Sequence, residues 1–224
     1  MRWEDLLFIH WPIALSTMRE VVPPGLEVET FDGTAWIGVV PFRMTRVRHR
    51  LFPPLPGLSA FSELNVRTYV TVHDKPGVYF FSLDAASKVA VRVARWTFHL
   101  QYFDAKMKCA TNDSRVHYEC RRVHRGAPPA EFAAQYQPIG DTFHPPPGSR
   151  ERFLTDRYCL YAVDRRGKIW RGDIDHAPWP LQLAQAEIRT NTMLDQLRMH
   201  VPDAPPLLHF AKCMDVVAWR PTQV

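Results

Sequence analysis

The chain has 224 residues, with 28 Lys and Arg against 23 Asp and Glu and a formal charge of +5. Apolar residues make up 46% and charged residues 23%, which is ordinary globular composition and excludes disordered, collagen-like and fibrous classes. Proline outnumbers glycine 20 to 10, a bias toward many short elements over long helices.

The first predicted element is a helix from about Pro12 to Val22, with Ala14, Met18, Val21 and Val22 on one side and Pro23-Pro24-Gly25 as its stop. Leu26 to Phe31, a turn at Asp32-Gly33 and a strand from Thr34 to Met44 then read as a hairpin, with Pro41 marking an edge or a bulge. Arg46 to Gly57, basic and then proline-rich, reads as an excursion. A second hairpin follows: Glu63 to Val72, a turn at Asp74 to Gly77, and Val78 to Leu83. Helical spacing predicts a helix from Ala85 to Leu100, capped by Asp84. Alternating segments come next at Tyr102–Cys109, Arg115–Val123 and Glu131–Gln137. After the stiff Pro145-Pro146-Pro147-Gly148 loop, Tyr158–Val163 and Lys168–Asp175 flank a turn at Asp164–Gly167. A helix near Thr190–His200 and a strand near Leu207–Trp219 complete the chain. The pattern predicts an α+β protein on a large, closed, mainly antiparallel sheet with a few flanking helices.

No apolar run approaches the roughly 18 residues of a membrane span, and no basic segment feeds a secretory apolar stretch, so a cytoplasmic location with no membrane partner is expected. Cys109, Cys120, Cys159 and Cys213 are far apart, which favours reduced thiols over a disulfide framework or a zinc site. Nucleotide-binding, zincin and serine-hydrolase motifs are missing. Asp173, Asp175 and His176 form the nearest acid and imidazole cluster, best explained as a polar strand end. No metal and no cofactor are therefore expected.

The strand from Glu63 carries the most chemistry. Residues two apart share a face, so Glu63, Asn65, Arg67 and Tyr69 line one side and Leu64, Val66, Thr68 and Val70 the other. Were both faces enclosed, as in a ligand-holding barrel, a carboxylate, an amide and a guanidinium would converge on one cavity. Arg67 would bind a small carboxylate through paired donors, and Glu63 would exchange protons. Arg157 could add a second donor, or make an edge ion pair with Asp156 or Glu151. Lys88, Arg92, Arg95 and His99 form a basic stripe on the second helix; a solvated face explains it better than nucleic acid, since no aromatic platform accompanies it. Trp96 beside it suits packing. Lys106 and Lys108 share a strand face with Tyr102 and Asp104, and two neighbouring amines can supply a neutral nucleophile; if the opposite, apolar face is the buried one, both lie in water.

The segments W-E-D-L-L-F-I-H-W-P (Trp3 to Pro12), V-V-P-P-G-L-E-V-E-T-F-D-G-T-A-W-I-G-V-V-P-F (Val21 to Phe42), E-L-N-V-R-T-Y-V (Glu63 to Val70), V-Y-F-F-S-L-D-A (Val78 to Ala85), F-L-T-D-R-Y-C-L-Y-A (Phe153 to Ala162) and H-A-P-W-P-L-Q (His176 to Gln182) resemble YqjF-like proteins, a conserved family of unknown function. The resemblance implies one domain over 1–224, of the acetoacetate decarboxylase-like superfamily: a closed, mainly antiparallel barrel around a cavity. The superfamily's enzymes use a Schiff-base lysine beside a second lysine, in a motif similar to tyrosine-proline-lysine-lysine-leucine. Here the matching stretch is Tyr102, Phe103, Asp104, Ala105 and Lys106, with Asp104 and Ala105 where the lysine pair would stand. The expectation is a barrel protein that binds a small carboxylated or carbonyl-bearing metabolite with Glu63, Asn65, Arg67 and Arg157, walled by Trp96, Tyr102 and Trp179, and compatible with a homo-oligomer. The alternatives are a lyase using Lys106 or Lys108, and nucleic-acid binding through the stripe.

Overall fold

A computed structural model describes residues 1–47, 60–89, 91–92 and 99–224. Trp96 and Arg95, and most of the 46–57 excursion, lie outside them. The strands, in chain order, are β1 (Arg2–Ile13), β2 (Glu27–Val28), β3 (Ala35–Thr45), β4 (Ala60–Val72), β5 (Lys75–Ala85), β6 (Tyr102–Asn112), β7 (Arg115–Arg122), β8 (Glu131–Phe143), β9 (Cys159–Val163), β10 (Ile169–Asp175), β11 (Leu181–Asn191), β12 (Leu207–Asp215), β13 (Val217–Ala218) and β14 (Thr222–Gln223). Among the elements whose residues are all described, two short α-helices interrupt them, α1 (Leu15–Val21) and α2 (Arg150–Thr155). Pairings run β5-β6-β7-β8-β11-β12-β1-β3-β4, and β4 pairs in turn with β5, so the path returns to its start. The fold is mostly sheet.

Several sequence expectations change. Arg2 to Ile13 is a strand, and Pro12 pairs with Trp36 at its end rather than opening a helix. Its run from Asp5 to Trp11 is buried on both faces, so it shows none of the alternation that marks a half-buried strand. Only Leu15–Val21 is helical. The Asp32-Gly33 turn exists, with Phe31 bridged to Thr34, but β2 pairs with β4 and not with β3. β3 is central, between β1 and β4. Pro41 sits opposite an irregularity: the β1–β3 register shifts between Glu4 and Ile9, and Asp5 takes a φ of 54°, the bulge that a residue without an N–H invites. The β4–β5 hairpin turns at His73-Asp74, both with positive φ, as two-residue primed turns require.

Asp84 does not cap a helix. It lies in β5, fully buried, and holds Arg122 of β7 through two 2.7 Å bonds, while Arg122 also donates to Gln196 and stacks on Phe103. Helical backbone is described at residues 88–89 and 91–92, with 90 and 93–98 outside the described set. The helix expected near Thr190–His200 is instead the end of β11 and a single 3-10 turn at Asp195–Leu197. The sheet pairings outcompete a local helical pattern, because Ile188 to Asn191 bond to β8.

The largest apolar cluster takes side chains from all nine strands of the ring, among them Leu7, Ile37, Leu64, Tyr79, Ala105, Val116, Phe132, Ala184 and Phe210. Tyr118 and Tyr136 span it and donate to the Glu63 and Asp5 carbonyls. The opposite face of β1, β3, β4 and β5 is buried under a second layer made of α2, β9, β10 and the segment at Trp179.

Candidate functional site

Strand alternation puts Glu63, Asn65, Arg67 and Tyr69 on that opposite face, away from the cluster shared by the nine strands. All four are buried, at 3%, 5%, 7% and 0% exposure. The polar row therefore does not face the cluster to which all nine strands contribute; it is enclosed between the ring and its covering layer. The row also does not converge. Glu63 and Arg67 are roughly 13 Å apart along the strand, and among the described residues no hydrogen bond or ion pair joins them.

At the Arg67 end, pairing aligns His10 of β1 with Gly38 of β3 and Gly38 with Arg67 of β4. A methyl on Gly38 would lie 2.9 Å from His10 Cδ2 and 3.4 Å from Arg67 Cγ, so the bare glycine is what lets the two side chains meet above it. Gly38→Ala is accordingly expected to destabilise the fold by about 1–3 kcal/mol, measured by denaturant unfolding, and to disturb the hydrogen bond of His10.

The Tyr69 hydroxyl lies 2.6 Å from both the Leu154 carbonyl and His10 Nε2. It has one proton, and the carbonyl can only accept, so Tyr69 donates to Leu154 and His10 donates from Nε2. His10 Nδ1 is then an acceptor, buried and without a partner. Burial holds His10 well below its ordinary pKa, and the charge of Arg67 and the neighbouring His209 add to this, so the ring is neutral.

Arg67 donates from Nη2 to the Leu154 carbonyl at 3.0 Å and to Tyr69 at 3.4 Å, with its guanidinium 5.3 Å from the Phe8 ring. Its Nε has no partner, and among the described residues no carboxylate lies within ion-pair distance of it. Arg157 sits between α2 and β9. It pairs with neither Asp156 nor Glu151, which bond to Arg152 and Arg150. Instead Arg157 packs on Phe153 and Tyr69, donates to the Phe153 carbonyl, and holds Glu29 at 2.7 Å. Two buried guanidiniums thus flank the Tyr69 ring, and one has an acid.

At the other end, the Tyr102 hydroxyl donates to Glu63 Oε2 at 2.9 Å. Burial pushes the Glu63 carboxyl up to about 8; the charge of Asp84 adds to this, and the Tyr102 bond opposes it. At neutral pH Glu63 holds a proton that it can donate. Asn65 lies between the ends, with Oδ1 unpartnered, and Trp179 packs edge-on to Phe8 at 5.1 Å.

The remaining candidates fall elsewhere. Lys106 and Lys108 are exposed, Lys108 facing Glu119 at 3.8 Å. β6 pairs with β7 in unbroken register from Ala105 to Asn112, so no bulge turns either amine toward the row. Asp104 bonds to His124, and Ala105 joins the large core. In the basic stripe, Lys88 and Arg92 are exposed and His99 packs on Trp170. Among the described residues no cluster of three or more His, Cys, Asp or Glu has the arrangement of a metal site, and no helix is long and apolar enough to cross a membrane. Sequence reasoning missed His10 and Glu29; a histidine inside the apolar run Leu6 to Trp11 was the available signal.

The profile of DUF2071, an uncharacterized conserved protein family, matches residues 1–215. The chain belongs to that family. The uncharacterized protein YqjF of Bacillus subtilis (strain 168) is 46% identical over 217 residues, covering 97% of this chain and 88% of the relative. Similar solved structures are the enduracididine biosynthesis enzyme MppR complexed with pyruvate (TM-score 0.68, 12% identity, 99% of this chain and 88% of that one), an acetoacetate decarboxylase-like enzyme from Sphingomonas wittichii RW1 (0.67, 12%, 100% and 91%), and an acetoacetate decarboxylase (0.66, 12%, 100% and 88%). This DUF2071 chain thus shares the acetoacetate decarboxylase-like fold.

Proposed function

We propose that this DUF2071 protein binds a small carboxylated or carbonyl-bearing metabolite in the layer between its sheet and the covering α2, β9 and β10, with the carboxylate on Arg67. We further propose that the ring of pairings is a closed barrel in a single domain, and that Glu63, aided by Tyr102, performs any acid or base step on a ligand long enough to reach it, roughly 13 Å along the strand from Arg67. The observation that carries this reading is the bare charge of Arg67. Isolating a guanidinium from water costs several kcal/mol unless an anion meets it, and no described acid does so. Phe8, Tyr69 and Trp179 supply an apolar wall, and Asn65 and His10 supply unpartnered acceptors. The fold neighbour bound to pyruvate makes a short keto acid a suitable first probe.

The test is a thermal-shift screen of small carboxylates and ketones. A keto acid at a hundred times its Kd should stabilise the wild type by about 2.7 kcal/mol and should leave the melting point of Arg67→Ala unmoved. Equal shifts in both proteins, or none in either across the panel, would remove the reading.

A further inference from the structure

We infer that Glu29 sets the charge of the ligand: it occupies Arg157 as a built-in counter-ion and restricts the site to molecules with one carboxylate. This rests on the reading that Arg67 receives that carboxylate. The two guanidiniums lie on one aromatic ring, Arg67 at 5.8 Å and Arg157 at 5.1 Å from the centre of Tyr69. Either could take an anion, but they are not equivalent. Arg157 is anchored by the Phe153 carbonyl and pairs with Glu29 at 2.7 Å, whereas Arg67 has only neutral acceptors. Glu29 is itself fixed, because its backbone N–H bonds to the Tyr69 carbonyl and the preceding Val28 pairs with Val70. Its carboxylate therefore stands beside the same tyrosine whose hydroxyl side holds Arg67. Its side chain is 21% exposed while that of Arg157 is 7% exposed, so Glu29 lies on the solvent side of the pair. A second carboxylate on the ligand would have to displace it or lie next to it, and like charges brought together in a partly desolvated site reject the wrong partner.

The experiment compares two keto acids that differ by a terminal carboxylate, 2-oxobutyrate and 2-oxoglutarate, by calorimetric titration of the wild type, Glu29→Gln and Glu29→Asp. The wild type should prefer 2-oxobutyrate by about tenfold or more; Glu29→Gln, which frees Arg157, should lower that preference by about tenfold, and Glu29→Asp should retain it. Comparable wild-type affinities for the two acids would overturn the inference, even if Glu29→Gln failed to fold. An unchanged ratio in a folded Glu29→Gln would do the same, and either result leaves the Arg67 site standing as long as binding is lost in Arg67→Ala. Binding of 2-oxobutyrate that survives Arg67→Ala would remove both.

Discussion

Arg67→Met is expected to melt at a higher temperature than the wild-type protein when no ligand is added. Most substitutions of a side chain at 7% exposure lower stability, so the direction is diagnostic. The guanidinium has no described acid beside it and leaves Nε without a partner, while its two acceptors lose little when it goes. The Leu154 carbonyl still receives the Tyr69 hydroxyl, and that hydroxyl still accepts from His10. Methionine keeps the apolar stem against Phe8 and adapts to irregular space. Exchanging buried ionic groups for apolar ones of similar volume often stabilises by about 1–4 kcal/mol, which for a chain of this size raises the melting point by roughly 2–4 °C per kcal/mol. Arg67→Ala is the poorer stability probe, because the space it leaves adds a cavity cost that hides the gain. A lower melting point in Arg67→Met would mean that the fold itself satisfies the charge, and the reason for expecting an anion would disappear.

Glu63→Gln should change how stability depends on pH. The native carboxyl titrates near 8 and the unfolded one near 4.5. Below the lower value both states are protonated and the wild type has its full stability. As the pH rises between the two values the unfolded chain ionises while the native protein keeps its proton, so stability falls through this window and levels off above 8. The upper limit of the loss is roughly 5 kcal/mol. Glutamine keeps the shape and an acceptor for Tyr102 without titrating, so Glu63→Gln should lack this slope and exceed the wild type most at pH 8. Denaturant unfolding of both proteins from pH 4.5 to 8 checks it, and other titrating groups cancel in the difference. Parallel profiles would show that Glu63 ionises normally, and would end its role as a proton donor.

The chemistry-bearing strand was legible because its polar residues recur at period two, from Glu63 to Tyr69. What period two cannot convey is which side of a closed path of strands a face looks to, and here Leu64, Val66 and Val70 took the side shared by all nine strands. The partners of Tyr69 and Arg157 were out of reach for a related reason. His10 comes from a strand buried on both faces, and Glu29 from a stretch whose pairing with β4 is set by contacts 42 residues distant or thereabouts in sequence, Val28 to Val70. Pro41 marked its bulge correctly, since a missing N–H is a local property. Asp84 was misread because a helix cap and a buried ion-pair acid call for the same residue type, and only Arg122, 38 positions away, distinguishes them.

A crystal structure of the protein with pyruvate at saturating concentration tests the anion site most directly. The carboxylate should lie within about 3 Å of the Arg67 guanidinium, between Asn65 and Tyr69, with Glu29 still on Arg157. Pyruvate ordered at Lys106 or Lys108 with nothing against Arg67, or an Arg67 already met by an acid of the protein itself, would contradict it.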